Sequence, residues 1–234
     1  MVYALIVAGG RGTRLVSAIP KQYLLLAGVP ILVRTLRAFD RCDVIDRLVV
    51  VVPSTEIASV RDTMITPVAL RKSVAIVAGG PRRQDSVFNG LAAIDSAASM
   101  VVIHDAVRPL VTCESITNCV NVARAHGACI LALPVWDTLK RISDDGRIEA
   151  TLPRERLWRA QTPQAFRADL IRRAHERARQ EQVLGTDDAC LVERLGETVH
   201  IVPGNRRNLK ITTAEDLVIA EALLNTSGPS AAEQ

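Results

Sequence analysis

Aromatic side chains are nearly absent from this chain: three Phe, two Tyr and two Trp in 234 residues. Proteins that hold single strands stack bases on aromatic rings, so this scarcity, with a formal charge of only +4, argues against a nucleic-acid surface and leaves room for a small acidic substrate. Cysteine is sparse too, with Cys42, Cys113, Cys119, Cys129 and Cys190. An odd number, without a CxxC pair or a histidine at ligand spacing, speaks against a disulfide framework and against zinc. No apolar run approaches a membrane span, and residues 1–8 lack the basic flank and the length of a signal peptide. The expectation is a reduced, soluble, cytoplasmic protein.

What the chain does have is aliphatic bulk. Hydrophobic residues make up 48% of it, enough for one substantial core and one domain over residues 1–225. The tail at 226–234, TSGPSAAEQ, is small and polar and should fray. Residues 3–8, 47–52, 74–77, 100–104, 128–133 and 199–203 read as buried strands. Between them 31–39, 53–64, 167–181 and 214–224 read as helices, with Pro30 suited to a first helical turn and Thr213 to an N-cap. Buried, unalternating strands joined by helices predict an α/β fold, a single Rossmann-like domain with a mostly parallel twisted sheet flanked by helices. Ligands in such folds gather at the carboxyl ends of the strands, where the loops at 9–21, 79–86, 105–109 and from 137 onward fall.

Residues 137–156 break the alternation. Two strand-like pieces, 139–142 and 147–152, flank the turn signal Asp144-Asp145-Gly146 and predict a projecting β-hairpin arm. A lone hairpin is marginal, so either it pairs two subunits into a homodimer or it folds back on its own subunit.

The first loop carries the chemistry. Its strand stops at Gly9, Gly10 and Gly12, and Arg14 and Lys21 follow. Glycines let backbone N–H groups approach an anion, and two cations nearby suit a triphosphate. A tight strand-to-helix turn would explain the glycines alone, but not the cations. A Walker A loop fails because Thr13 and Arg14 follow Gly12, and a dinucleotide fingerprint is weak because Leu15 stands where a third small residue belongs.

Further segments occur in a fixed order. Ala8-Gly9-Gly10, Gly12-Thr13-Arg14 and Pro20-Lys21-Gln22-Tyr23 come first, then Gly79-Gly80 with Asp85-Ser86-Val87, and His104-Asp105-Ala106-Val107-Arg108-Pro109. Asp137-Thr138 with Lys140-Arg141, Leu157-Trp158 with Gln161-Thr162-Pro163-Gln164, Thr186-Asp187-Asp188-Ala189 and Asn208-Leu209-Lys210 complete the set. Over nearly the whole chain this resembles the 2-C-methyl-D-erythritol 4-phosphate cytidylyltransferase family of sugar-phosphate nucleotidyltransferases.

The resemblance implies attack by a sugar-phosphate oxygen on the α-phosphorus of CTP with loss of pyrophosphate. It makes Arg14, Lys21 and Lys210 the catalytic cations and puts CTP against Ala8, Gly9, Gly10, Gly12, Gly80, Ser86, Asp105 and Ala106. Mg²⁺ would arrive on the phosphates, with Asp105 as its one protein ligand. Thr138, Arg154, Thr162, Thr186, Asp187 and Lys210 would hold the polyol phosphate. Thr138 and Arg154 would reach the neighbouring subunit's site from the arm of a homodimer. Bland alternatives stay open: Ser86 as a helix N-cap, Asp105 paired with Arg108, Lys210 paired with Glu215 or Asp216, and Arg154 paired with Glu155 or replaced in its role by Arg156. His104 reads as a strand-end hydrogen-bonding residue, not a base. A ribitol 5-phosphate cytidylyltransferase shares the first loop and HDAVRP, and a catalytically silent nucleotide-binding regulator is the rival from another class.

Overall fold

The computed structural model describes residues 1–10 and 19–226; Gly12 and Arg14, and the tail at 227–234, lie outside the described residues. Strand β1 (Val2–Val7) ends at the glycine loop, and beyond it come a 3-10 turn (Lys21–Tyr23), the short hairpin β2 (Leu25–Leu26) and β3 (Val29–Pro30), and helix α1 (Ile31–Asp40). Next are β4 (Arg47–Val52), α2 (Ile57–Val60), β5 (Val74–Ala78), α3 (Arg83–Ala92), β6 (Met100–Asp105), α4 (Cys113–His126) and β7 (Ala128–Pro134). A second hairpin, β8 (Leu139–Ile142) and β9 (Ile148–Leu152), precedes β10 (Trp158–Arg167), α5 (Ala168–Gln180), α6 (Asp188–Glu193), β11 (His200–Pro203) and α7 (Ala214–Thr226).

Seven strands form one sheet in the order β11-β7-β10-β6-β1-β4-β5. β1 runs parallel to β4 and β6, β4 to β5, and β7 to β11, whereas β10 lies antiparallel between β6 and β7. The predicted α/β class, with a mostly parallel sheet between helical layers, is what folds. Alternation along β1 divides the core. Val2, Ala4 and Ile6 pack with Leu36 and Phe39 of α1 and Ile116 and Val120 of α4, while Tyr3 and Leu5 pack with Val87 and Leu91 of α3 and Ile171 of α5. On the α3 side the contact is close: a Cβ on Gly90 would stand 2.3 Å from Leu5 Cδ1. Glycine at this position lets α3 press onto β1 and so sets its first turn over the strand ends.

Some expectations need correction. Residues 53–64 form a 3-10 turn (Ser54–Glu56), the single turn α2 and a π-helical stretch (Arg61–Ile65) instead of one helix. Only Val60 in them is buried, so packing enforces no single helical register. Pro30 has φ −53° and ψ 137° and is the extended N-cap of α1, not its first turn. The strand β10 carries no strand signal, because Gln161, Thr162 and Gln164 break its apolar run. All three are buried, at 7%, 5% and 1% exposure, and the register slips between Ala160 and Gln164.

The expected turn at Asp144-Asp145-Gly146 does join two paired strands. β8 and β9 pair antiparallel, Leu139 opposite Leu152, in a two-stranded sheet separate from the central one. Ile142 and Ile148 on it are 59% and 65% exposed, and Trp136 and Trp158 beside it 54% and 41%. Thr213 caps α7 as read: its Oγ1 accepts from Asp216 N at 3.3 Å, and Asp216 Oδ2 accepts from Thr213 N at 2.9 Å.

Candidate active site

At the carboxyl ends of β1, β4, β5 and β6 lies a cavity of about 670 Å³, within the usual range for a small-molecule site. Ala8, Gly9, Gly10, Lys21, Gly80, Ser86, Asp105, Ala106 and Lys210 all line it. Thus every described residue assigned from sequence to the nucleotide or to catalysis falls in one place. Thr138, Arg154, Thr162, Thr186 and Asp187 are not among its lining residues.

The glycine loop and its neighbours are held by their own hydrogen bonds. Ala8 N donates to Val51 O at 2.8 Å, and Ala8 O accepts from the buried Gln22 Nε2 at 2.8 Å. The Ala8 amide is therefore committed, and its carbonyl keeps one lone pair for an exocyclic amine. The two residues after Lys21 are both anchored, Gln22 to the Ala8 carbonyl and Tyr23 through its hydroxyl, which donates to Glu56. Burial and then the Glu56 carboxylate push the Tyr23 phenol well above its ordinary value, keeping it the donor. Ser86 is not the N-cap of α3. The helix starts earlier, where Asp85 Oδ2 accepts from Arg82 N at 3.2 Å and from Arg82 Nε at 2.8 Å. Ser86 Oγ instead donates to Arg82 O at 3.0 Å and accepts from Gly80 N at 3.1 Å, shaping the turn that faces Gly9.

The other end of the cavity is charged. Asp105, 7% exposed, faces Lys210 Nζ at 2.8 Å, Arg83 Nε at 3.2 Å and Arg108 Nε at 3.7 Å. Burial alone would push the Asp105 pKa up, but Arg83, Lys210 and Arg108 outweigh it and hold the carboxyl well below the usual range. Lys210 thus pairs with Asp105 and not with Glu215 or Asp216, because Asp216 is taken up in capping α7. A short chain of bonds delivers Lys210 from the far end of the sequence. Ile211 N donates to Val107 O at 2.9 Å, Arg108 Nη1 to Asn208 O at 2.7 Å, and Asn208 Nδ2 to Thr162 O at 2.8 Å.

His104 is fully buried, and burial pushes its imidazole down to about 3, so it is neutral. Its Nε2 lies 3.1 Å from Arg108 O, which can only accept, so Nε2 carries the proton. Nδ1 then accepts from Thr162 Oγ1 at 3.0 Å, while Thr162 Oγ1 accepts from Asp105 N at 3.1 Å. These two bonds align His104 and Asp105 and leave the buried Thr162 hydroxyl one lone pair for the substrate role read from the sequence. Asp187 is partly spent as well. It caps α6 by accepting from Cys190 N at 3.0 Å, and its second oxygen accepts from Gln164 Nε2 at 2.8 Å. Thr186, Thr138, Arg154 and Arg156 are exposed. Arg154 donates to the Trp136 carbonyl at the base of the arm rather than pairing with Glu155.

Asp105 is the one carboxylate among the described residues lining the cavity, and it is ionised. A cation that keeps most of its water and binds mainly to phosphate oxygens needs no more protein than that. The donor set fits Mg²⁺ on a triphosphate.

Arg83, which belongs to none of the sequence motifs, lines the cavity and joins Asp105 to Asp188. A signal for it exists: a cation in the first turn of a helix opposes the helix dipole and calls for an anion nearby.

The comparisons with known proteins agree. A sequence profile described as IspD, 2-C-methyl-D-erythritol 4-phosphate cytidylyltransferase, matches residues 2–226. The chain is 48% identical over 223 residues to the protein of that name from Syntrophus aciditrophicus, covering 95% of both. It is 49% identical over 231 residues to the one from Geobacter metallireducens, covering 97% of this chain and 99% of that one. Among solved structures, 4-diphosphocytidyl-2C-methyl-D-erythritol synthase from Anaerococcus prevotii superimposes with a TM-score of 0.85 at 32% identity, over 96% of each chain. With sequence, fold and the placement of the motif residues in agreement over nearly its full length, the chain belongs to the 2-C-methyl-D-erythritol 4-phosphate cytidylyltransferase (IspD) family.

Proposed function

We propose that this protein transfers the cytidylyl group of CTP to 2-C-methyl-D-erythritol 4-phosphate, giving 4-diphosphocytidyl-2-C-methyl-D-erythritol and pyrophosphate in non-mevalonate isoprenoid precursor biosynthesis. The observation that carries the reading is the single cavity in which a glycine floor, fixed carbonyls and the cations Lys21, Arg83 and Lys210 meet, in a member of this family. Pyrimidine edges suit the Ala8 and Gly80 end, where backbone groups and the Ser86 hydroxyl line the cavity. The triphosphate suits the cationic end.

The chemistry asks little of acids and bases. The acceptor phosphate is ionised at neutral pH, its oxygen forms a new bond to the α-phosphorus, and the bond from that phosphorus to the β-bridging oxygen breaks. Positioning two repelling anions and spreading the charge of the departing pyrophosphate are the work, and they fall to Lys21 and Lys210 with Arg14 of the first loop. Mg²⁺, with Asp105 as its protein ligand, would supply charge neutralisation on the phosphates. The neutral His104 takes no proton. Its bonds to Thr162 and the Arg108 carbonyl keep the Asp105 turn in shape.

The polyol phosphate end is completed by a second subunit in this reading. Four exposed apolar side chains on and beside the hairpin, Trp136, Ile142, Ile148 and Trp158, support this reading, since dimerisation would bury them. Thr138 and Arg154 stand on or beside it and enter the partner's site, with Thr186 and Asp187 lining the approach. Pyrophosphate release with CTP and Mg²⁺, offering methylerythritol 4-phosphate and ribitol 5-phosphate in parallel, tests the function. Release with the first acceptor alone is expected; release with ribitol 5-phosphate alone, or CTP binding without turnover, sinks it.

A further inference from the structure

We infer that Asp188, held from behind by His175, is a positioning residue for Arg83 and through it for the triphosphate of the nucleotide. The inference rests on the CTP reading above. Arg83 occupies the first turn of α3, where the helix dipole opposes it, and its side chain is 30% exposed on the cavity wall. Nε donates to Asp105 Oδ1 at 3.2 Å, and Nη1 is ion-paired with Asp188 Oδ2 at 2.8 Å. A guanidinium is flat and rigid, so anions at two different nitrogens fix its plane as well as its place.

The two anions are not equivalent. Asp105 is shared with Lys210 and Arg108 and lines the cavity, so an incoming triphosphate competes for its partners. Asp188 is 1% exposed and outside the cavity lining. Its other oxygen lies 3.0 Å from Nε2 of His175, itself 1% exposed, which donates to the carboxylate. The backbone around it is tied down too: Asp188 N and Ala189 N both donate to Gln164 Oε1 of β10, at 3.2 and 3.1 Å. Burial pushes the Asp188 pKa up, but Arg83 and His175 prevail and keep it below the ordinary value, so the anchor is charged at neutral pH. Asp188 therefore keeps Arg83 aimed into the site while Asp105 exchanges its contacts during turnover.

A double-mutant cycle tests this. Wild type, Asp188→Asn, Arg83→Gln and the double variant are compared by calorimetric CTP binding, by kcat/KM for CTP and by KM for the polyol phosphate. Asp188→Asn should weaken CTP binding and lower kcat/KM for CTP by roughly 10- to 100-fold, the scale of a small misplacement, and leave the polyol phosphate KM within about twofold. In the Arg83→Gln background its added effect should shrink to less than about threefold, since the two residues act as one unit. An undiminished loss in that background, or unchanged CTP binding in Asp188→Asn, overturns the inference. Should Asp188→Asn not fold, His175→Gln replaces it in the same cycle, with a smaller loss in the same quantities and the same non-additivity expected; additive losses or unchanged CTP binding then overturn it. Failure of the CTP reading itself shows separately, as wild-type protein that binds no CTP, and would take this inference with it.

Discussion

Replacing Asp105 with Asn keeps the side chain's size and removes the charge on which three cations converge. Lys210 Nζ at 2.8 Å, Arg83 Nε at 3.2 Å and Arg108 Nε at 3.7 Å would then face one another across an amide. Removing one partner of a buried ion pair costs about 3–5 kcal/mol. The Lys210 side chain is 37% exposed, so solvent screens its share, and Arg83 keeps Asp188. The low end, about 3 kcal/mol, is therefore expected, which for a chain of this length lowers Tm by about 6–12 °C. The pH dependence has a definite sign. The folded-state pKa of Asp105 lies below its unfolded value near 3.9, so its contribution is fully present above about pH 5 and fades as pH falls through the folded pKa. Thermal unfolding of both proteins from pH 3 to pH 8 should show a constant gap above about pH 5 that closes toward acid. Equal Tm at pH 7, or a gap that widens as pH falls, would refute the reasoning.

Lys21→Ala should lower kcat by about 10²–10³-fold with less than about tenfold change in CTP affinity, measured by steady-state kinetics and calorimetry; small, equal effects on both would remove its catalytic role. Gly90→Ala should destabilise the fold by about 1–3 kcal/mol in urea unfolding, because its methyl would meet Leu5 Cδ1 at 2.3 Å and either the buried Leu5 side chain or α3 must shift; wild-type stability would show that the contact has slack. Mixing Arg154→Ala subunits with Lys21→Ala subunits should restore roughly a quarter of wild-type activity, because half of the random dimers carry one intact composite site. No recovery after confirmed subunit exchange counts against the shared arm.

Much of the architecture is legible in the chain because burial leaves a period. The continuous aliphatic runs of β1, β4, β6 and β7 and the turn of the β8–β9 hairpin announce themselves. What escapes is polar and buried. β10 hides because Gln161, Thr162 and Gln164 mimic a loop, and their partners lie far away in sequence, at Asn205, Asn208, His104 and Asp187. The same long-range pairing explains the site. Lys21, Asp105 and Lys210 stand out through motifs, whereas Arg83 is understood only when Asp105 and Asp188 are brought to either side of it. Thr162 shows the converse, a residue in a functional motif whose hydroxyl also serves structure, and nothing in the sequence announces its bonds to His104 and the Asp105 amide.

The most direct test of direct cytidylyl transfer is phosphorus NMR of the protein with CTP, Mg²⁺ and methylerythritol 4-phosphate. The expected result is loss of the acceptor's monophosphate signal and of the triphosphate signals together, replaced by a coupled diphosphate pair and free pyrophosphate. An acceptor signal that persists while CTP decays to CMP, or a triphosphate that never changes, would contradict it.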